Sequence, residues 1–222
     1  MPSLIERLDA FDRKERHFLI RFVLGQVAET TDAGFRSEVG AALDLMIPDT
    51  AQWWMDYHLD WLYAALVLDT SPAQDRYPSP GFAGRFPDSP LLNVNANQED
   101  VDVLIAFMTS GITHLILLEA KADTGWTNRQ VHSKARRLSA MFPEGVNSYP
   151  GIEPHFGLCS PRPPRSLDPT PLPKWMLKSD NSIAWVPLPI NPNWLKIERC
   201  DDQSRATHSG EFWRIKGGAS WG

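Results

Sequence analysis

The sequence predicts a mixed α/β (α+β) fold, and three observations predict it. The first third carries apolar residues at helical spacing. The middle holds two short apolar runs joined by a tight-turn signal. The last third is broken by proline between short strand-like runs. These patterns predict a single domain over 1–222. It comprises a mostly helical part over 1–70, a core over 91–160, and a Pro-rich loop with short strands, a C-terminal β extension, over 161–222.

Each element has its own warrant. Ser3-x-x-Glu6 is a capping-box pattern opening a short helix with Leu4, Ile5, Leu8 and Phe11. Asp12-x-x-Glu15 suggests a second helix, with Phe18, Leu19, Phe22 and Val23 as its apolar stripe and Gly25 as its stop. A third helix begins after Thr31 or Asp32 and carries Phe35, Val39, Ala42, Leu43 and Met46 on one face. Glu38 falls at the edge of that stripe, where an acid ordinarily reaches solvent. From Asp49 to Leu68, the spacing of Trp53, Trp54, Tyr57, Trp61, Leu62 and Leu66 suits a buried helix better than a strand. Such a stripe is core far more often than a base-stacking platform. Residues 71–90 gather Pro, Gly, Ser and Asp as a loop, and Leu91 to Val94 is taken as the first strand of the sheet.

The most informative stretch runs from Val101 to Lys121. Val101–Phe107 and Leu115–Lys121 read as two buried strands, and Ser110-Gly111 supplies a two-residue turn between them. That turn pairs Thr109 with Ile112, and counting outward sets Asp102 directly opposite Glu119. Opposed residues share a face of the sheet, and the period of two puts Lys121 on it as well. Leu115 and Leu117 lie on that face too, so it is not fully solvated. Opposed like charges destabilise a sheet unless a cation or a shared proton intervenes. A divalent metal with oxygen ligands is the economical answer. The plainer alternative is two surface carboxylates and a surface lysine on an ordinary hairpin.

With Asp102 on one strand and Glu119-x-Lys121 on the next, the chain resembles the PD-(D/E)xK nuclease superfamily. The resemblance implies a restriction-endonuclease-like αβββαβ core. Val101 stands where many members have the motif proline. The resemblance further implies that Asp102, Glu119 and the backbone carbonyl of Ala120 hold Mg²⁺ or Mn²⁺, and that Lys121 acts on the nucleophile and transition state. Members resembling Holliday-junction resolvases also place a Glu on the helix before the sheet, which makes Glu38 a further candidate ligand.

After the hairpin, Val131, Ala135, Leu138 and Phe142 form one helical face, and Gln130, Lys134 and Arg137 border it. Thr127-x-x-Gln130 also satisfies a capping box, an equally good account of Gln130. In several nucleases of the family this helix brings a Gln and basic residues to the scissile phosphate. The resemblance therefore adds Gln130 and Lys134 to the site and assigns Arg129, Arg136 and Arg137 to the nucleic-acid backbone. Lys121 and these four cations make this the most basic neighbourhood of an acidic chain.

Composition constrains the rest. A net charge of −5 is not the footprint of a protein that coats nucleic acid nonspecifically. Cys159 and Cys200 form no CxxC, and His58, His114, His132, His155 and His208 show no metal-ligand spacing. No secretory leader pattern and no membrane-spanning apolar run are present, so a cytoplasmic location is expected, with a homodimer compatible. No P-loop or Gly-x-Ser-x-Gly elbow is present. His155–Cys159, Ile183–Val186, Trp194–Ile197 and Phe212–Ile215 are expected strands. The functional expectation is a metal-dependent nuclease, with DNA favoured over RNA. The alternative is a catalytically inactive nuclease-fold binding or structural protein.

Overall fold

Side-chain caps set where the first helices begin. The computed structural model describes residues 2–25, 30–70, 76–77, 81–82, 91–92, 94, 99–122, 126–190 and 195–216. In it, the Ser3 N–H donates to Glu6 Oε2 at 2.6 Å and the Glu6 N–H to Ser3 Oγ at 3.3 Å. This reciprocal box opens α1 (Leu4–Phe11). Helix α2 covers Glu15–Leu24, and α3 (Ala33–Leu43) starts at Asp32, whose Oδ1 accepts the Phe35 N–H at 2.9 Å. Helix α2 departs from expectation. Phe18, Leu19, Phe22 and Val23 all stand exposed, and His17 is the residue it buries. His17 Nδ1 lies 2.6 Å from Asp12 Oδ2, and its ring packs edge-on against Trp53. A buried Asp–His pair, not the apolar stripe, orients this helix.

The aromatic stretch is corrected more substantially. It forms strand β1 (Gln52–His58) followed by helix α4 (Leu59–Thr70). The first strand of the main sheet is therefore here and not at Leu91–Val94. Among the described residues, Leu91–Leu92 (β3) pairs only with Gly81–Phe82 (β2), in a separate two-stranded ladder. Most of the expected loop over 71–90 lies outside the described residues. Strands β4 (Asp100–Thr109) and β5 (Ile112–Ala120) form the hairpin, and α5 (Asn128–Met141) and β6 (Ile152–Ser160) follow it. The five-stranded sheet has the order β1-β4-β5-β6-β7, with β7 at Ala184–Pro187. The β1–β4 and β4–β5 pairs are antiparallel, and the β5–β6 and β6–β7 pairs are parallel. Ile183–Val186 thus extends the main sheet instead of forming an added layer. Pro161–Pro173 contains neither helix nor strand.

Both faces of the sheet are covered. Leu104, Ala106, Leu115, Leu117, Phe156 and Leu158 face α1, α4 and α5, where they meet Leu8, Leu62, Val131 and Leu138. Ile105, Phe107, Ile116, Leu118 and Cys159 face the other way, toward Val39 and Phe35 of α3. The chain divides into two compact units, Met1–Leu188 and Pro189–Gly222. The second unit contains the antiparallel pair β8 (Lys196–Cys200) and β9 (Phe212–Lys216). No helix among the described residues is long and apolar enough to cross a membrane.

Candidate functional site

The hairpin turn fixes the site. Ser110 and Gly111 have φ of 52° and 81°, the two positive values that a type I′ turn requires. The ladder runs from Thr109↔Ile112 to Val103↔Leu118, and one further step sets Asp102 opposite Glu119. Strand alternation puts Glu119 with Leu115 and Leu117 on the face that α5 covers, and Asp102 lies near enough to feel the charge of Lys134 on that helix.

The two acids are unequally satisfied. Asp102 Oδ2 accepts the Ala120 N–H at 2.5 Å. Burial raises the Asp102 carboxyl above its ordinary value, opposed by that hydrogen bond and by the Lys134 ammonium. Glu119 is pushed up to about 7, chiefly by desolvation and further by the Asp102 charge, with Lys134 again opposing. Lys134 Nζ lies 3.1 Å from Glu119 Oε1, an ion-pair distance. Its directed bond goes to the Asp100 carbonyl. Glu119 Oε1 is thus a buried oxygen that accepts no hydrogen bond among the described residues.

Glu119, Lys121, Trp126, Arg129, Gln130 and Lys134 line one cleft of about 550 Å³. Lys121 begins just beyond β5, and its N–H donates to the Cys159 carbonyl at 2.8 Å. Its ammonium lies 5.7 Å from the centre of the Trp126 ring, a cation–π distance. The Gln130 N–H donates to Thr127 Oγ1 at 3.4 Å, so the helix cap forms while the Gln130 side chain still lines the cleft. Arg129 is exposed there. Lys134 joins the carboxylates themselves.

Asp102 and Ala120, joined by their hydrogen bond, lie next to Glu119 without lining this cleft, and three further expected positions are not brought to it. Arg137, expected on the surface to contact nucleic acid, is only 2% exposed. Its guanidinium bridges Asp60 of α4 and Glu99, just before β4, where the border of the helix is closed by distant chain. Arg136 is half-buried and does not line the cleft. Glu38 is exposed on α3, whose Val39 packs on the opposite face of the sheet, away from the paired acids.

Two features escape sequence reasoning. The β1–β4 ladder, Met55↔Val103 and Tyr57↔Val101, brackets Asp56 opposite Asp102. Asp56 has a φ of 50°, lies 3.2 Å from Arg16 Nη1, and adds negative charge near Asp102. Reading β1 as helix hides it. The second feature is a cluster on the other face, where His114, Glu153 and His155 bring three donor atoms within 4.8 Å of one another. Glu153-x-His155 on one strand was the available signal, since residues two apart share a face. Comparison of the chain with protein-family models, with curated proteins and with solved structures found no match.

Proposed function

We propose that the chain is a metal-dependent nuclease of the PD-(D/E)xK type, hydrolysing phosphodiester bonds, with DNA as the favoured substrate. The observation that carries this is the opposed Asp102–Glu119 pair, whose Glu119 Oε1 is buried without a hydrogen bond beside a cationic cleft. The order α3-β1-β4-β5-α5-β6, with α4 and the β2–β3 ladder inserted after β1, supports the restriction-endonuclease-like core.

The residues present fit a hard divalent cation. They offer carboxylate oxygens, one of which has a cation beside it but accepts no hydrogen bond, in a site where burial penalises negative charge. Asp102, Glu119 and the Ala120 carbonyl would hold Mg²⁺ or Mn²⁺. Such an ion lowers the pKa of a bound water and offsets charge on a phosphate. The chain's own groups supply the rest. Lys121 brings a cation to the cleft beside Glu119, suited to orienting a nucleophilic water and stabilising a negative transition state. Arg129 and Gln130 offer donors to phosphate oxygens, and Lys134 holds positive charge against Glu119.

One observation favours the second reading, a catalytically inactive nuclease-fold binding or structural protein. The Lys134 ammonium already lies where a cation would compensate Glu119. Cleavage assays separate the two. With Mg²⁺ or Mn²⁺, wild type should cut at least one of linear, nicked, branched or single-stranded DNA. Lys121→Ala should lose about 100-fold or more of that rate while keeping the thermal stabilisation by Mn²⁺. Absence of cleavage on all four substrates with either ion, wild type matching Lys121→Ala, would refute the enzyme.

A further inference from the structure

We propose that His114, Glu153 and His155 form a separate site for Zn²⁺, on the face of the sheet opposite Asp102 and Glu119. Parallel pairing of β5 with β6 sets His114 beside Glu153 and Ile116 beside His155. All three side chains therefore project from the face of Ile116, the face that carries Phe107 and Cys159. The His114 ring stacks on Phe107 with centroids 5.0 Å apart, so packing fixes its direction.

The donor geometry is specific. His114 Nδ1 lies 3.0 Å from His155 Nε2 and 3.6 Å from Glu153 Oε2. Zinc–ligand bonds of 2.0–2.1 Å at tetrahedral angles require donor atoms about 3.3 Å apart, and the two observed edges straddle that value. A proton on His114 Nδ1 can satisfy only one of its two neighbours, whereas a cation among the three satisfies all of them.

The donor set also selects the ion. Mg²⁺ and Ca²⁺ prefer all-oxygen shells, while two imidazoles and one carboxylate suit zinc and leave its fourth position open. Access is available. The Glu153 side chain is 53% exposed and that of His114 is 12% exposed, so an ion enters from solvent against a half-buried imidazole pair.

The test uses the full chain, dialysed against a chelator and titrated with Zn²⁺ in competition with a chromogenic chelator. One tight equivalent is expected. It should be lost in His155→Ala and weakened in Glu153→Gln, an exposed substitution that leaves the sheet intact. It should persist in Asp102→Asn/Glu119→Gln, which separates this site from the proposed nuclease centre. Co²⁺ should give the intense visible absorption of a tetrahedral site in wild type and lose it in Glu153→Gln. This decides the matter even if His155→Ala fails to fold. Absence of a tight equivalent means that the two imidazoles share only a hydrogen bond, and the proposal falls. It falls equally if binding survives both His155→Ala and Glu153→Gln, or disappears in the Asp102/Glu119 variant.

Discussion

One turn apart on α5, Lys134 and Arg137 face two acidic clusters that the fold treats differently. Arg137 is buried between Asp60 and Glu99, and its planar fork donates to both carboxylates. Lys134 offers a point charge. It donates to the Asp100 carbonyl and pairs with Glu119 by charge, so Oε1 has a cation beside it but accepts no hydrogen bond. The first cluster joins α4, α5 and the start of β4. The second stays short of donors and opens on a cleft. A buried cation that donates to two carboxylates ties elements together, while a buried carboxylate oxygen that accepts no hydrogen bond marks where a ligand would lower the energy.

The comparison breaks most visibly at Arg137. Arg137→Ala should destabilise the protein by about 3–5 kcal/mol in chemical denaturation, because two acids lose a buried partner. A loss comparable to that of an exposed arginine would mean that this cluster is no clamp.

Glu119 sharpens the other side through pH. Its carboxyl ionises near 7 in the folded chain against an ordinary value of 4.5, so across that window the folded chain holds a proton that the unfolded chain has released. Stability from this group is full below about 4.5 and falls as pH rises to about 7, by about 3 kcal/mol in all. Glu119→Gln should flatten this fall and leave the metal-free protein more stable than wild type at pH 8. Parallel stability–pH curves for the two proteins would show that Glu119 is adequately compensated.

The smallest effect belongs to Arg129, exposed at the rim of the cleft. Arg129→Ala should change stability by no more than about 0.5 kcal/mol, yet weaken DNA binding and flatten its salt dependence. Unchanged binding would remove this residue from the interface.

The hairpin and its opposed acids were legible because the evidence is local: two apolar runs and one two-residue turn determine the register. The β1 strand was not legible. Its Trp53 and Trp54 serve opposite cores, since helices cover both faces of the sheet, so Trp53, Trp54 and Met55 run together without alternating with polar residues. The left-handed Asp56 then shifts the phase and returns Tyr57 to the side of Trp54. Arg137 lies at a helical border that sequence periodicity leaves open, and its burial is decided by Asp60, 77 residues away. Lys121 obeys the period of two, but β5 stops at Ala120, and beyond it the nearby Trp126 face draws the ammonium.

The Ser110–Gly111 turn also bears on the order in which the molecule assembles. Hairpins closed by so short a loop form in about 1–10 μs, whereas contacts across long loops pay their closure entropy first. On that ordering, Asp102 and Glu119 are expected to meet while both are still hydrated and easily ionised. Their mutual discomfort arises only when α5 docks and expels the water. The docking of α5, not the pairing of the strands, is the event that makes this pair of acids unusual.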